Sequence, residues 1–217
     1  MGYILARLSS KPLGVNINIP IVFTLAVISD VDLLFEPALV HRGPLHSTII
    51  LIAVFIPLFI VYRKAAIPYF LALAQHSLIG DYLGGGKLQL FWPLNDSYYG
   101  LATPAVTIII LEWALFLSSM LIMAKTRDLN RIFQPKKSNL LLLIPLTAVL
   151  MPPVFSFPLK VPLSLIPAHI AYSLLFIISL ALTITKFPPW NPKQTPQEKT
   201  VSSEKELRTG SQNLQIL

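Results

Sequence analysis

The sequence predicts an all-α integral membrane protein with about six transmembrane helices. Of its 217 residues, 54% are hydrophobic and only 12% are charged, and the mean hydropathy is +0.66. A soluble domain carries about 25% charged residues, so a water-soluble fold could not bury this much apolar surface. Since a helix that crosses a membrane needs roughly 20 mostly apolar residues, the length allows about six crossings with short connections.

Apolar runs between helix-breaking residues define the six predicted spans. They cover residues 17–35, 45–62, 65–83, 104–124, 139–157 and 162–186. Pro57, Pro68, Pro145 and Pro167 fall inside these runs. They predict kinks, because a proline removes one helix hydrogen bond and its ring crowds the preceding turn.

Two regions of different composition follow from these runs. Residues 1–186 are predicted to form one polytopic membrane domain. Residues 187–217 are rich in Lys, Glu, Gln, Ser and Thr, and a segment of this kind cannot bury a core. They are predicted to form a disordered polar tail in the cytoplasm.

The positive charges predict the orientation. Only Arg42, Lys87 and Lys160, of 17 Lys and Arg residues, fall on the side of the spans away from the two termini. Because cytoplasmic loops retain Lys and Arg, both termini are predicted to lie in the cytoplasm and the protein in the cell membrane. The net charge of +7 is therefore attributed to the basic residues that set the orientation of the protein in the membrane. Without aromatic residues interleaved among the basic ones, nucleic acid is not a predicted partner, whereas membrane lipids are.

The residue types that could bind a metal gather at one predicted membrane face. The sequence has no cysteine, so any metal must be held by histidine and carboxylate side chains. Imidazole together with carboxylate oxygen suits Zn²⁺ best, or another divalent first-row ion. Such an ion activates water for hydrolysis. The alternative is that these are interfacial side chains that bind loop backbone and lipid head groups. The gathered residues are Asp30, Asp32, Glu36, His41, Arg42, His46, His76 and Asp81.

Four short motifs within residues 17–95 resemble the YdjM-like (DUF457) family of inner-membrane proteins described as metal-dependent hydrolases. They are Ser-Asp-Val-Asp at 29–32, His-Arg-Gly-Pro-Leu-His-Ser at 41–47, His-Ser-Leu-Ile-Gly-Asp at 76–81 and Phe-Trp-Pro at 91–93. The resemblance implies a hydrolase acting on an ester or phosphoester, with a lipid or small molecule as substrate. It implies metal ligands at Asp30, Asp32, His41, His46, His76 and Asp81.

The same resemblance implies roles in chemistry and substrate binding. Asp30, His76 and Asp81 are the implied catalytic residues, Arg42 is placed to hold an anionic group, and Trp92 to shape the mouth of the site. Two departures from the family pattern stand out. Ser29 replaces a proline, and the histidine that many relatives carry near their start is absent before His41.

Two further ionisable residues lie inside predicted spans. His169 could supply the missing ligand or serve as a packing histidine, and Glu112 could act as a general base or as a structural acid. Two other functions stay open beside hydrolysis. One is a transporter or ion-binding protein with a relay through Asp30, His76, Asp81 and Glu112. The other is an assembly partner without turnover.

Overall fold

Several helices of this protein are long and apolar enough to cross a membrane. The computed structural model describes residues 1–35, 38–84, 86–155 and 161–187. Four helical runs within them meet the length and composition of a membrane span: Thr48–Asp81, Ala105–Lys125, Lys137–Val154 and Leu163–Lys186. At most 33% of the most apolar window of each run is buried inside the protein. Their outward apolar side chains need hydrocarbon around them, so the protein is a multi-pass membrane protein.

Helices build the described part of the chain, with a single antiparallel bridge between Leu88 and Tyr99. Met1–Thr183 forms one compact unit, and Ile184–Leu217 a second one that is described only as far as Phe187. The predicted tail over 188–217 lies outside the described residues. The α-helices are α1 (Gly2–Leu13), α2 (Ile19–Leu25), α3 (Thr48–Tyr62), α4 (Ile67–Gln75), α5 (Ala105–Lys125), α6 (Asp128–Ile132), α7 (Leu143–Phe155) and α8 (Ile166–Lys186).

The run Thr48–Asp81 turns back on itself. Phe55 in α3 and Phe70 in α4 would be about 22 Å apart along a straight helix. Their rings instead stack with centroids 4.0 Å apart. The reversal lies at Arg63, whose φ of 52° ends α3, and a short 3-10 turn over Arg63–Ala66 leads into α4. The separate helices predicted over 45–62 and 65–83 are present.

Residues 17–35, predicted as one span, contain two short helices and are not among the four runs that meet the criteria of a membrane span. Asn18 caps α2 by accepting a hydrogen bond from the Ile21 backbone N–H at 3.4 Å. After α2 the chain continues as a 3-10 helix over Ile28–Phe35. The chain is therefore no longer α-helical at Asp30 and Asp32.

Most of the prolines predicted to kink helices do not lie in helix interiors. Only Pro57 lies inside its helix, α3. Pro68, Pro145 and Pro167 fall in the first turns of α4, α7 and α8. The backbone N–H groups of a first turn have no partner within the helix, so proline fits there without bending it. These three prolines therefore lie near helix starts, whereas the sequence placed them inside the predicted spans.

The first helix was not predicted, and it contributes Tyr3 and Ala6 to the core. Tyr3, Ala6 and Ser10 recur at helical spacing and are each 2% exposed or less, so one face of α1 is buried. A side chain in place of Gly2 would meet the Ala26 Cβ at 2.7 Å, which shows how closely α1 approaches α2. The Tyr3 ring stacks on Phe23 at 5.6 Å between centroids. This packing fixes the helices on which the candidate site is built.

Candidate metal centre

Local structure places the first set of site residues. Asp30 and Asp32 lie in the 3-10 helix Ile28–Phe35, and His46 ends the 3-10 turn Pro44–His46. The next residue, Ser47, anchors this turn. Its hydroxyl donates to the Trp92 carbonyl at 2.6 Å and accepts from the Ile49 N–H at the start of α3. The loop that carries Trp92 thereby holds His46 in position.

A π-helical turn over His76–Asp81 brings the second set together. Residues five apart lie about 140° apart around an α-helix, at 3.6 residues per turn. A π turn closes i→i+5 hydrogen bonds, so its first and last residues come to the same side. His76 Nε2 and Asp81 Oδ2 are accordingly 3.5 Å apart.

Four ligand atoms converge at this end of the helices. His76 Nε2 lies 3.0 Å from Asp30 Oδ1, and His46 Nε2 lies 3.4 Å from the same oxygen. His46 Nε2 is also 3.3 Å from Asp81 Oδ2. Asp30, His46 and His76 form a group whose ligand atoms all lie within 4.8 Å of one another. Segments distant in the sequence thus contribute to one cluster.

The spacing of these atoms suits a small divalent ion. Two ligands held tetrahedrally at 2.0–2.1 Å from Zn²⁺ are about 3.3–3.4 Å apart. The four measured separations between imidazole nitrogens and carboxylate oxygens run from 3.0 to 3.5 Å. Among the described residues, both ring nitrogens of His46 and Asp81 Oδ2 are buried without a hydrogen-bond partner. Buried polar atoms of this kind are costly, and a bound cation would satisfy His46 Nε2 and Asp81 Oδ2.

The other nitrogen of His46 faces a second carboxylate. His46 Nδ1 lies 3.3 Å from Asp32 Oδ2, and His41 Nδ1 lies 3.0 Å from Asp32 Oδ1. These three residues form a second group with ligand atoms within 4.8 Å. Metal-binding histidines usually direct their free nitrogen to a carboxylate, which fixes the orientation of the ring. Asp32 stands in this relation to His46, with His41 on its far side.

The electrostatics of His46 reflect these contacts. This residue precedes α3 and is fully buried. Burial disfavours its charged form, but the contacts with Asp30 and Asp32 and the charge of Asp81 prevail and raise its pKa to about 9. A cation that binds His46 must therefore displace a proton at neutral pH.

Arg42 is held in one place from several directions. Its φ is 61°, its backbone N–H donates to Asp32 Oδ2 at 3.1 Å, and its carbonyl accepts from the Gln89 N–H at 2.9 Å. Its Nε donates to Asp81 Oδ1 at 3.0 Å. The guanidinium lies against Gly86, where an added Cβ would come within 2.5 Å of Cζ. Since Nε is engaged, the two terminal nitrogens are the donors left for a ligand.

The remaining predicted residues lie elsewhere. Trp92 contributes its carbonyl to Ser47, but its side chain does not line the cavity beside the cluster. His169 forms no hydrogen bond with a residue of the cluster. Its Nδ1 lies 3.0 Å from the Leu165 carbonyl oxygen. It lines a separate cavity of about 250 Å³ together with Glu112. Neither completes the ligand set, and Glu36 lies outside the described residues.

One wall of the site was not found from the sequence. A cavity of about 170 Å³ lies beside the cluster, and α7 forms its far side through Ile144, Thr147, Ala148, Met151 and Pro152. These residues are ordinary for an apolar span, and no local pattern distinguishes them. Only the packing of α7 against the 3-10 helix Ile28–Phe35 places them there.

Comparison with known proteins adds no relative. No family model, curated protein or solved structure matches this chain.

Proposed function

We propose that this protein is a membrane-bound, metal-dependent hydrolase of an ester or phosphoester. The observation that carries the proposal is the convergence of Asp30, His46, His76 and Asp81, with imidazole and carboxylate atoms 3.0–3.5 Å apart. Ionisable groups beside apolar helices are costly and usually functional. The resemblance to the YdjM-like family supports the same reading.

The residues divide into holding, orienting and substrate-binding roles. Asp30, His46, His76 and Asp81 would hold the ion, with Zn²⁺ the best fit to a mixed nitrogen and oxygen set. Asp32 would orient the His46 ring through Nδ1. When bound, the ion supplies an activated water for hydrolysis. Asp30, His76 and Asp81 are the proposed catalytic residues.

Arg42 would receive the substrate's anionic oxygen atoms. Arg42 lines the cavity beside the cluster, and guanidinium groups bind phosphate and carboxylate in a two-point manner. Its 3.0 Å bond to Asp81 connects substrate binding to the proposed ion site.

The metal content of the purified protein tests this function. The full chain is purified in detergent, loaded with zinc, and analysed for elements beside the variants His46→Ala and Asp81→Ala. His169→Ala is the matched control, because that histidine lies in a different cavity. We expect close to one zinc per chain in the wild type and the control, and a marked loss in both site variants. Equal, sub-stoichiometric zinc in all four proteins would refute the proposal.

We further propose six crossings with both termini in the cytoplasm and the site at the extracytoplasmic face. The charge distribution supports this orientation. Because the chain lacks cysteine, single cysteines can report it. A membrane-impermeant maleimide should label Ser97→Cys in intact cells and Gln134→Cys only after permeabilisation. The opposite pattern would reverse the orientation.

An ion-transport function is the second candidate, favoured by a specific arrangement of cavities. The cavity around Glu112 and a neighbouring cavity that His76 lines share Met1 and Tyr172. The relay would run through this shared wall. Ion flux into proteoliposomes that is lost in Glu112→Gln, in a protein that binds no stoichiometric zinc, would favour transport over hydrolysis.

A further inference from the structure

The geometry points to a phosphate-bearing amphiphile as the ligand of the cavity beside the cluster; we infer that its phosphate lies at Arg42 and its first chain carbons lie against α7. This inference rests on the proposed function, since the same cluster holds the ion.

Two chemically different sets of residues line the cavity. Asp30, Arg42 and His76 belong to the polar set. The apolar set comprises Val27, Val31 and Leu33 from the chain around the 3-10 helix, and Ile144, Ala148 and Met151 from α7. The α7 wall also includes Thr147, but its hydroxyl donates to the Ile144 carbonyl of its own helix at 2.7 Å. The wall therefore offers a sugar or a nucleoside no free hydroxyl donor, and its remaining side chains suit hydrocarbon.

The volume of the cavity limits what it can enclose. Sites for drug-sized soluble ligands have volumes of about 300–1,000 Å³, whereas a cavity of about 150 Å³ accommodates benzene. The observed cavity of about 170 Å³ is close to the smaller figure. It encloses a phosphate-sized group with a few carbons and leaves the rest of a longer molecule outside. An amphiphile whose tail remains in the bilayer meets this condition, because its tail needs no protein cover.

The charges favour binding of the phosphate together with the ion. The three carboxylates of Asp30, Asp32 and Asp81 lie close to one guanidinium, that of Arg42. A divalent ion bound among the carboxylates adds positive charge next to the Arg42 guanidinium. The ion-loaded cluster should therefore accept a phosphate more readily than the cluster without the ion.

Binding of octyl phosphate tests the inference without relying on turnover. Its affinity for the detergent-purified, zinc-loaded chain is measured by competition, beside inorganic phosphate and octyl trimethylammonium. Each buried methylene contributes about fourfold in affinity, so about three enclosed methylenes give octyl phosphate a roughly 60-fold advantage over inorganic phosphate. The cationic amphiphile should bind far more weakly, and removal of zinc should weaken octyl phosphate binding.

Variants on α7 identify the wall. Ala148→Phe fills the cavity and should abolish the advantage of octyl phosphate while inorganic phosphate and zinc still bind. Leu143→Phe is the matched control, because Leu143 is in the same helix, is 57% exposed and does not line the cavity. If Ala148→Phe does not fold, Met151→Ala replaces it and should reduce the advantage several-fold by removing wall contacts.

The outcomes separate the two proposals. Equal affinity for octyl phosphate and inorganic phosphate in a zinc-bound wild type would overturn the amphiphile inference and leave the hydrolase proposal intact. A strong preference for inorganic phosphate would do the same, and would indicate a soluble phosphoester as the substrate. Absence of zinc in elemental analysis would refute the proposed function itself.

Discussion

The contact between Gly86 and Arg42 allows the anion-binding role to be tested by one added methyl group. In Gly86→Ala the new Cβ would lie 2.5 Å from Arg42 Cζ and 2.6 Å from one terminal nitrogen. Ordinary contacts begin near 3.4 Å, so the guanidinium must retreat by about 1 Å. The obstacle is the end of a flexible side chain, and the backbone at position 86 has no reason to move.

The retreat has a calculable cost at the site. A displacement of about 1 Å would break the 3.0 Å hydrogen bond from Arg42 Nε to Asp81 Oδ1. Hydrogen bonds to charged groups contribute about 1.5–3 kcal/mol, and partial exposure of the Arg42 side chain, at 24%, reduces this to about 1–2 kcal/mol. If the displaced guanidinium loses its ligand contact to the same extent, phosphate affinity falls roughly 5- to 30-fold.

The assay compares phosphate binding with zinc content. Zinc should stay at the wild-type level in Gly86→Ala, because Asp81 Oδ2, and not Oδ1, lies next to the imidazoles. Gly80→Ala is the control, since a Cβ there meets only the Gln75 carbonyl, at 3.8 Å. If the two alanine variants bind phosphate equally well while both retain zinc, Arg42 does not hold the anion in the way argued above.

Three other predictions concern protonation and buried polar contacts. Zinc affinity should rise at least about tenfold per pH unit up to about pH 9, where His46 loses its proton, and the rise should end at a lower pH in Asp32→Asn. Zinc competition titrations at several pH values measure both profiles, and a flat wild-type profile would contradict the mechanism. Without metal, the stabilisation from this raised pKa is fully present below pH 6.5 and is lost as the pH rises through about 9. Asp128→Asn should lower the free energy of unfolding by about 3 kcal/mol, because the fully buried carboxylate pairs with two arginines and accepts from a tyrosine; thermal unfolding in detergent tests it. In the same assay Asn139→Leu should cost about 2–4 kcal/mol, since the Asn139 amide donates to two carbonyls and to Thr183, and unchanged stability would show that water replaces it.

The sequence predicted the cluster because its members are costly in a membrane and therefore conspicuous. Six histidine and aspartate residues on three apolar runs were assigned to one face, and the structure brings them within contact of one another. Their division into two groups was not predictable. It depends on the direction of the His46 ring, whose Nε2 faces Asp30 while Nδ1 faces Asp32. Ring orientation is a property of packing and leaves no trace in residue type or spacing.

The missed helix has a different explanation. α1 contains Arg7, Lys11 and Pro12, and apart from Tyr3 its buried face is made of small residues, so it lacks the long apolar run by which membrane helices are found. Its burial depends on Gly2 and Ala6, which permit close approach to α2 and α4. Small residues at a helix interface are informative only when the partner helix is known.

The same logic connects the α7 wall to the identity of the substrate. An apolar residue on a membrane helix faces lipid, another helix or a ligand, and composition does not distinguish these surroundings. Packing assigns Ala148 and Met151 to a cavity that also contains Arg42 and the carboxylate of Asp81. The cavity combines hydrocarbon side chains with a proposed cation site. Such a cavity favours a molecule that has an anionic group and an apolar chain. A hydrolase built in this way would recognise its substrate at the point where a charged head group joins its chain, which is why exchange of one alanine on α7 should change chain preference without changing the metal.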